Sequence, residues 1–283
     1  MSVLRAGLIQ MTAGDDPAAN LPATEALIRE AAGKGATLIL TPEVTNCVSS
    51  SRSHQREVLR HEGEDETLAA LRALAAELGI WLLIGSLAVK TEDADGRFAN
   101  RSFLVSPEGA ITARYDKMHM FDVEISESES YRESAGYRPG ERAVVAQAGE
   151  ACLGLSVCYD LRFAKLYRAL AQAGAQILTV PAAFSPVSGA AHWEVLLRAR
   201  AIETGCFVLA PAQCGQHPAG RGKPRETWGH SLAVAPWGEV LADGGDATGA
   251  IIVDLDLAEV AQARQRIPSL THDRSFEGPS QDA

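Results

Sequence analysis

Gly154-Leu155-Ser156-Val157-Cys158-Tyr159-Asp160 reads as an apolar strand that runs out onto a potentially nucleophilic residue. Two other segments repeat the design. Leu38-Ile39-Leu40-Thr41-Pro42-Glu43 delivers a glutamate, and Ile111-Thr112-Ala113-Arg114-Tyr115-Asp116-Lys117 delivers a lysine. The end of a strand places its next side chain at the rim of a sheet, where open sheets gather ligands. Taken singly, each has an ordinary explanation: a solvated loop glutamate, a surface lysine beside Asp116, an inert core cysteine. Taken together, they can converge on one site.

Outward from these segments, short apolar runs alternate with amphipathic ones. Val3–Gln10 reads as a strand and Pro17–Ala32 as a helix with proline in its first turn. Thr37–Leu40 is a buried strand. Glu64–Leu78 places Leu68, Leu71, Leu74 and Leu78 at helical spacing, and Gly79 stops it. Trp81–Val89, Arg101–Ser106 and Ile111–Asp116 read as strands, the last two joined by the turn Pro107-Glu108-Gly109. Residues 117–142 show no clear period and form a polar insert of the kind that often has a functional role. Strands resume at Ala143–Gln147 and Ala151–Val157. A helix at Phe163–Ala173, a strand at Ile177–Val180 and a helix at His192–Glu203 follow. Phe207–Ala212, Ser231–Ala235, Val240–Ala242 and Ala250–Leu255 are further strands, Leu257–Arg266 a last helix, and the polar tail from Ser269 is expected to be loosely held. Residues 1–283 show no repeat and no linker, so one domain with a core over about 3–270 is expected. The alternation implies stacked sheet and helix layers of the α/β class.

Composition narrows the function. With 46% hydrophobic and 22% charged residues, whole-chain disorder is excluded. Lys plus Arg is 26 and Asp plus Glu 36, a net charge of −10. With no basic block, neither nucleic acid nor an anionic membrane surface is an expected partner. Ala169–Trp193 lacks Asp, Glu, Lys and Arg, but its glutamines, serines and two prolines fit a helix end, a buried strand and a loop better than a membrane span. The five cysteines are odd in number and form no C-x-x-C pair, which argues against a disulfide framework or zinc site. Together with a beginning, Met1-Ser2-Val3-Leu4-Arg5, whose apolar segment is too short for export, this suggests a cytoplasmic setting.

The three segments resemble the Glu-Lys-Cys pattern of the nitrilase superfamily of carbon–nitrogen hydrolases. Tyr115-Asp116-Lys117-Met118-His119-Met120-Phe121-Asp122 is similar to its lysine block, and Val157-Cys158-Tyr159-Asp160-Leu161-Arg162-Phe163 to its nucleophile block. The likeness runs from Val3 to about Leu270. It implies the four-layer α-β-β-α sandwich of that superfamily, a homodimer or higher homo-oligomer, and no metal or organic cofactor. It also implies roles. Cys158 would attack an amide as thiolate and Glu43 would serve as acid and base. Lys117 and the backbone N–H of Tyr159 would hold the oxyanion, and Glu133, in Tyr131-Arg132-Glu133-Ser134, would support Lys117.

Ala182-Ala183-Phe184, Ser188–Glu194 and Ala199–Glu203 resemble the Nit branch, whose amidases act on small keto-acid amides. Phe121–Glu124 and Ala212–Gly215 resemble the members that split deaminated glutathione into 2-oxoglutarate and cysteinylglycine more than those that act on 2-oxoglutaramate, the omega-amidases. A catalytically idle binding scaffold on the same fold is the rival of another class. Two positions depart from the branch pattern: Ala164-Lys165 replaces Pro-Glu, and Ala190 replaces Pro.

Tyr131, Arg162, Phe184 and His192 are candidate substrate contacts, each with an alternative. Arg162 could instead pair with Asp160, Phe184 could be core, and His192 could position a helix start, as His230 could a strand start. Trp81 and Trp237 read as packing residues. Ser156 lacks the second glycine of a nucleophile elbow and reads as a strand residue. Gln216–Thr227, rich in Gly, Pro and basic residues, reads as a variable loop rather than a lid.

Overall fold

In the computed structural model, residues 3–124 and 130–278 are described. Met1-Ser2, residues 125–129 of the polar insert and residues 279–283 of the tail lie outside the described residues.

The first half begins with β1 (Val3–Gln10), α1 (Pro17–Gly33) and β2 (Leu38–Leu40). Asp16 caps α1 by accepting from the Ala18 N–H at 3.0 Å, and Pro17 opens its first turn. A short helix that the sequence reading missed, α2 (Arg52–Val58), is followed by α3 (Glu66–Leu78). The α3 boundary is set by Asp65, which caps the Leu68 N–H at 2.8 Å, and by Gly79 in the left-handed conformation at φ 64°. Then come β3 (Trp81–Val89), β4 (Ala99–Val105) and β5 (Ile111–Asp116).

The polar insert is more ordered than its lack of period suggested. It contributes a ribbon, β6 (Asp122–Glu124) against β7 (Ser130–Arg132), and a 3-10 turn over Glu133–Ala135. The second half runs through β8 (Val144–Ala148), β9 (Ala151–Leu155), α4 (Ala164–Gln172), β10 (Ile177–Thr179), α5 (Pro186–Thr204) and β11 (Phe207–Ala210). It closes with β12 (Cys214–His217), β13 (Arg225–Trp228), β14 (Leu232–Val234), β15 (Val240–Asp243), β16 (Gly249–Asp256) and α6 (Ala258–Arg266). α5 starts six residues before the expected His192, because Pro186 suits a first turn and Ser185 precedes it.

Two six-stranded sheets result, ordered β16-β1-β2-β3-β4-β5 and β15-β14-β11-β10-β9-β8. Their alternation explains the layers. Leu8, Leu38, Leu40, Leu83 and Leu104 of the first sheet share a core with Leu153, Leu155, Ile177 and Leu209 of the second. The intervening Ile9, Ile39, Leu82, Ile84 and Phe103 face the other way, onto Ile28 of α1 and Leu71 and Leu74 of α3. Tyr167 and Leu170 of α4 and Trp193 and Leu197 of α5 cover the second sheet. The order of layers is α-β-β-α, as the resemblance implied.

Three local expectations fail. Trp237 is 40% exposed, with the Arg266 guanidinium 3.7 Å from its ring centroid, so it is not a core packing residue. The start of the tail is tied down: Arg168 donates to the Ser269 carbonyl at 2.9 Å, and Gln172 to Asp273 at 2.6 Å. Gln216–Thr227 is not simply a variable loop, because both its ends enter the β12–β13 hairpin.

Candidate active site

Two of the three strand ends turn through a left-handed backbone conformation beside the functional residue. β2 runs out at Leu40, and three residues later Glu43 is followed by Val44 at φ 46°, a region a β-branched residue rarely enters. β9 gives way to a 3-10 turn whose first residue, Cys158, sits at φ 49°. Such conformations cost of order 1–3 kcal/mol and persist where the surroundings over-determine them. Here the Val44 N–H donates to Ser86 Oγ at 2.8 Å, and the Cys158 N–H to the Pro181 carbonyl at 2.9 Å.

The side chains converge. Lys117 Nζ lies 2.9 Å from Glu43 Oε1, and 3.0 and 2.8 Å from the two oxygens of Glu133. Glu43 Oε1 also accepts from Asn100 Nδ2 at 2.8 Å, and its Oε2 from the Ala183 N–H at 2.9 Å. Glu133 further accepts from the Phe121 N–H at 2.6 Å. Glu43, Lys117 and Cys158 are 4%, 2% and 7% exposed, so this charge cluster sits in a largely dry setting.

The electrostatics define the resting state. Burial pushes the Glu43 carboxyl up, but the Lys117 ammonium, aided by Arg225, overcomes this and leaves it below its ordinary value. Burial pulls Lys117 down, while Glu133 and Glu43 hold it well above its ordinary value. Burial and the Glu43 charge push the Cys158 thiol well up, against the opposing pull of Lys117. The site therefore rests as a thiol beside a carboxylate and an ammonium. A standing low-pKa thiolate, expected by analogy with other reactive cysteines, is not what these surroundings favour.

The remaining expected residues separate. Among the described residues, the Tyr159 N–H meets no backbone acceptor and stays open in the first turn after Cys158. Arg162 does not pair with Asp160. Its guanidinium reaches His192 Nδ1 at 3.3 Å and lies 5.5 Å from the Phe184 ring centroid and 5.8 Å from that of Tyr159. Phe184 is buried against Trp193 in the core. His192 is exposed within α5 rather than at its start. Tyr131 packs on Phe121, with the Arg225 guanidinium 5.5 Å from its ring centroid.

Asp160 was passed over as a site residue, although it stands inside the nucleophile block. Fully buried, it accepts from the Val157 N–H at 2.9 Å, Tyr115 Oη at 2.6 Å and the His119 N–H at 3.0 Å. It thereby ties the lysine segment to the cysteine turn. Asn100 and Arg225 had no motif to mark them; Arg225 was hidden in a Gly- and Pro-rich stretch. Ser156 is a strand-end residue bonded to Tyr167 and to the Thr179 carbonyl. Among the described residues no group of three His, Cys, Asp or Glu could hold a metal ion, and no helix is long and apolar enough to cross a membrane. A cleft of about 540 Å³ beside α1, lined by Asp15, Asp16 and Asn20, holds none of the converging groups.

The carbon-nitrogen hydrolase family model matches residues 5–265, nearly the whole chain. The chain belongs to the carbon-nitrogen hydrolase family. This carbon-nitrogen hydrolase is 39% identical over 268 residues to a deaminated glutathione amidase of Yersinia enterocolitica, covering 94% of this chain and 92% of that one. It is 40% identical over 270 residues to a deaminated glutathione amidase of Homo sapiens, covering 94% and 80%. Among solved structures it is similar to Saccharomyces cerevisiae Nit3, a nitrilase-superfamily member, with a TM-score of 0.84 and 26% identity over 97% of each chain.

Proposed function

We propose that this carbon-nitrogen hydrolase is a cysteine-dependent amidase that cleaves deaminated glutathione into 2-oxoglutarate and cysteinylglycine. One observation bears most of the chemical argument: the buried Glu43 carboxylate is anchored by Lys117 and the Ala183 N–H beside the Cys158 thiol, whose pKa burial and the Glu43 charge push up. The relatives named deaminated glutathione amidase support the choice of substrate.

The steps follow from the charges. The Cys158 S–H proton passes to Glu43 as the sulfur attacks the amide carbon, so no free thiolate need accumulate. The carbonyl oxygen becomes an oxyanion held by Lys117 and the Tyr159 N–H. The carbon–nitrogen bond then breaks, and Glu43 gives its proton to the departing amine of cysteinylglycine. Water, deprotonated by Glu43, attacks the thioester. The second tetrahedral intermediate expels the Cys158 sulfur, which recovers the proton from Glu43, and 2-oxoglutarate leaves. Glu133 keeps Lys117 charged and aimed throughout.

The reading extends to a reducing, cytoplasmic setting, supported by five free cysteines, and to a homodimer. Purified protein given deaminated glutathione should release 2-oxoglutarate, and Cys158→Ala should release none while retaining the wild-type melting temperature. A folded Cys158→Ala enzyme that still turns over removes the mechanism. Faster cleavage of 2-oxoglutaramate than of deaminated glutathione assigns the enzyme to omega-amidase chemistry instead. Wild-type protein inert to both, with Cys158 alkylated no faster than the other cysteines, identifies an idle scaffold.

A further inference from the structure

Charge balance limits what the triad can attract. Lys117 is matched by two carboxylates, Glu43 and Glu133, so the triad and its support total −1. Deaminated glutathione brings two carboxylates of its own, one at the keto-acid end and one on the terminal glycine. Attraction for them must come from cations that the protein has not already neutralised.

Two arginines near the site meet that requirement. Neither Arg162 nor Arg225 forms an ion pair with any described carboxylate, whereas Arg101, Arg138 and Arg221, for example, all do. Arg162 rises from the same turn as Cys158 and the open Tyr159 N–H, which is the side of the acyl carbonyl. Arg225 arrives from elsewhere, at the start of β13. One arm, Nη2, is fixed to the Ala183 carbonyl at 2.8 Å, in the residue whose N–H holds Glu43. Its Nε is buried and has no acceptor. A buried charged donor left unpaired is costly, and an anionic ligand is the natural acceptor. The guanidinium also lies over Tyr131, on the ribbon side of the site, and its charge reaches Glu43, the group that must face the departing nitrogen.

Resting on the amidase reading, we infer that Arg225 binds the carboxylate of the leaving dipeptide, so that this enzyme recognises a substrate with an anion on each side of the scissile amide. Arg162 takes the keto-acid side. The β12–β13 hairpin is then a specificity element rather than a spacer. Ammonia, the leaving group of 2-oxoglutaramate, has no carboxylate and gains nothing from Arg225.

That asymmetry supplies the test. Steady-state rates for wild type, Arg225→Met and Arg225→Lys are measured on deaminated glutathione and on 2-oxoglutaramate. Loss of the Arg225 charge at Glu43 and of its hold on Ala183 falls on both substrates alike, so the leaving-side hydrogen bond is read as the difference: kcat/KM for deaminated glutathione drops roughly 10- to 100-fold further than kcat/KM for 2-oxoglutaramate, mostly through KM. Arg225→Lys recovers part of the loss. Equal losses on both substrates overturn the inference, because they assign Arg225 to the acyl end or to the support of Ala183. Unchanged rates on both overturn it as well. Wild-type protein idle on both substrates overturns the amidase reading, and this inference falls with it.

Discussion

In the proposed mechanism Glu43 is a base to the thiol and an acid to the departing amine, so its carboxyl has to be ionised at rest and still able to hold a proton briefly. Burial pushes its pKa up; the Lys117 ammonium and the Arg225 charge outweigh that and leave it below the ordinary value. Activity requiring ionised Glu43 is therefore kept as pH falls until it drops below the ordinary carboxyl value of 4.5. On the alkaline side, Lys117 stays charged beyond its ordinary 10.5. The expected kcat/KM profile is flat across neutrality, and an inflection near pH 7 assigned to the enzyme would contradict the charge assignment. The same balance predicts an unusual variant. Glu43→Gln removes the charge that lifts the Cys158 thiol but keeps the Lys117 charge that lowers it. Turnover should fall roughly 100- to 10,000-fold, as expected on losing a general acid–base, while the Cys158 pKa moves down. Alkylation rates against pH, read by peptide mapping, check this; an upward shift would refute it. The sequence already offered Glu43, Lys117 and Cys158 through their strand-end blocks. It did not reveal that the thiol rests protonated, because that depends on burial and on neighbours far apart in the chain.

At the scale of elements, β3 is the seat on which the site is mounted. Its pairing with β4 shifts register between Ile84 and Leu87, and Gly85 and Ser86 occupy the irregularity. Ser86 holds the Val44 N–H through Oγ and the Thr45 N–H through its carbonyl, while the Gly85 N–H donates to Thr41 Oγ1 at 3.1 Å. A Cβ at Gly85 would collide with the Thr41 carbonyl, lie 2.7 Å from the Pro42 carbonyl and 2.5 Å from Pro181 Cβ. Pro181 is the residue whose carbonyl fixes the Cys158 N–H. Gly85→Ala thus pushes on both reactive segments at once, against backbone that cannot yield cheaply. We expect a loss of about 3 kcal/mol, at the upper end of overpacking effects, with turnover reduced beyond the loss of folded protein. A melting temperature and kcat matching wild type would show that the seat is not needed. The nine residues of β3 were legible as one apolar run, but its bulge was not, since no local pattern separates an irregular glycine from a regular one. The β6–β7 ribbon and the β12–β13 hairpin escaped for a related reason. Their short strands alternate weakly, and their pairing is fixed by partners in three dimensions.

At the scale of the whole molecule, alternating strand and helix segments made stacked α/β layers legible, whereas the α-β-β-α order was implied by the family resemblance, since strands such as β2 and β11 are buried along their whole length and carry no alternation. Association of one copy with another is a different matter, since it is written on surfaces rather than in cores. α5 shields Trp193, Leu197 and Ala201 but leaves Val187, Val195 and Ile202 exposed, spaced eight and seven residues apart and so on one side of the helix. Ile202 adjoins Gly238, next to exposed Trp237, and Val240 and Leu241 extend the apolar area. We propose that these solvent-facing apolar groups form an association surface, as grouped exposed apolar residues commonly do. A two-fold pairing would set this patch against its own copy, as closed symmetric dimers require. The chain is therefore expected to sediment at twice its 30.0 kDa mass. Val195→Glu, paired with Ile202→Glu, places like charges face to face across such an axis and should yield monomer. The melting temperature at high protein concentration distinguishes dissociation from misfolding: the doubly substituted chain keeps a cooperative transition but loses its dependence on concentration. A wild-type monomer, or a dimer indifferent to both substitutions, would move the contact away from α5.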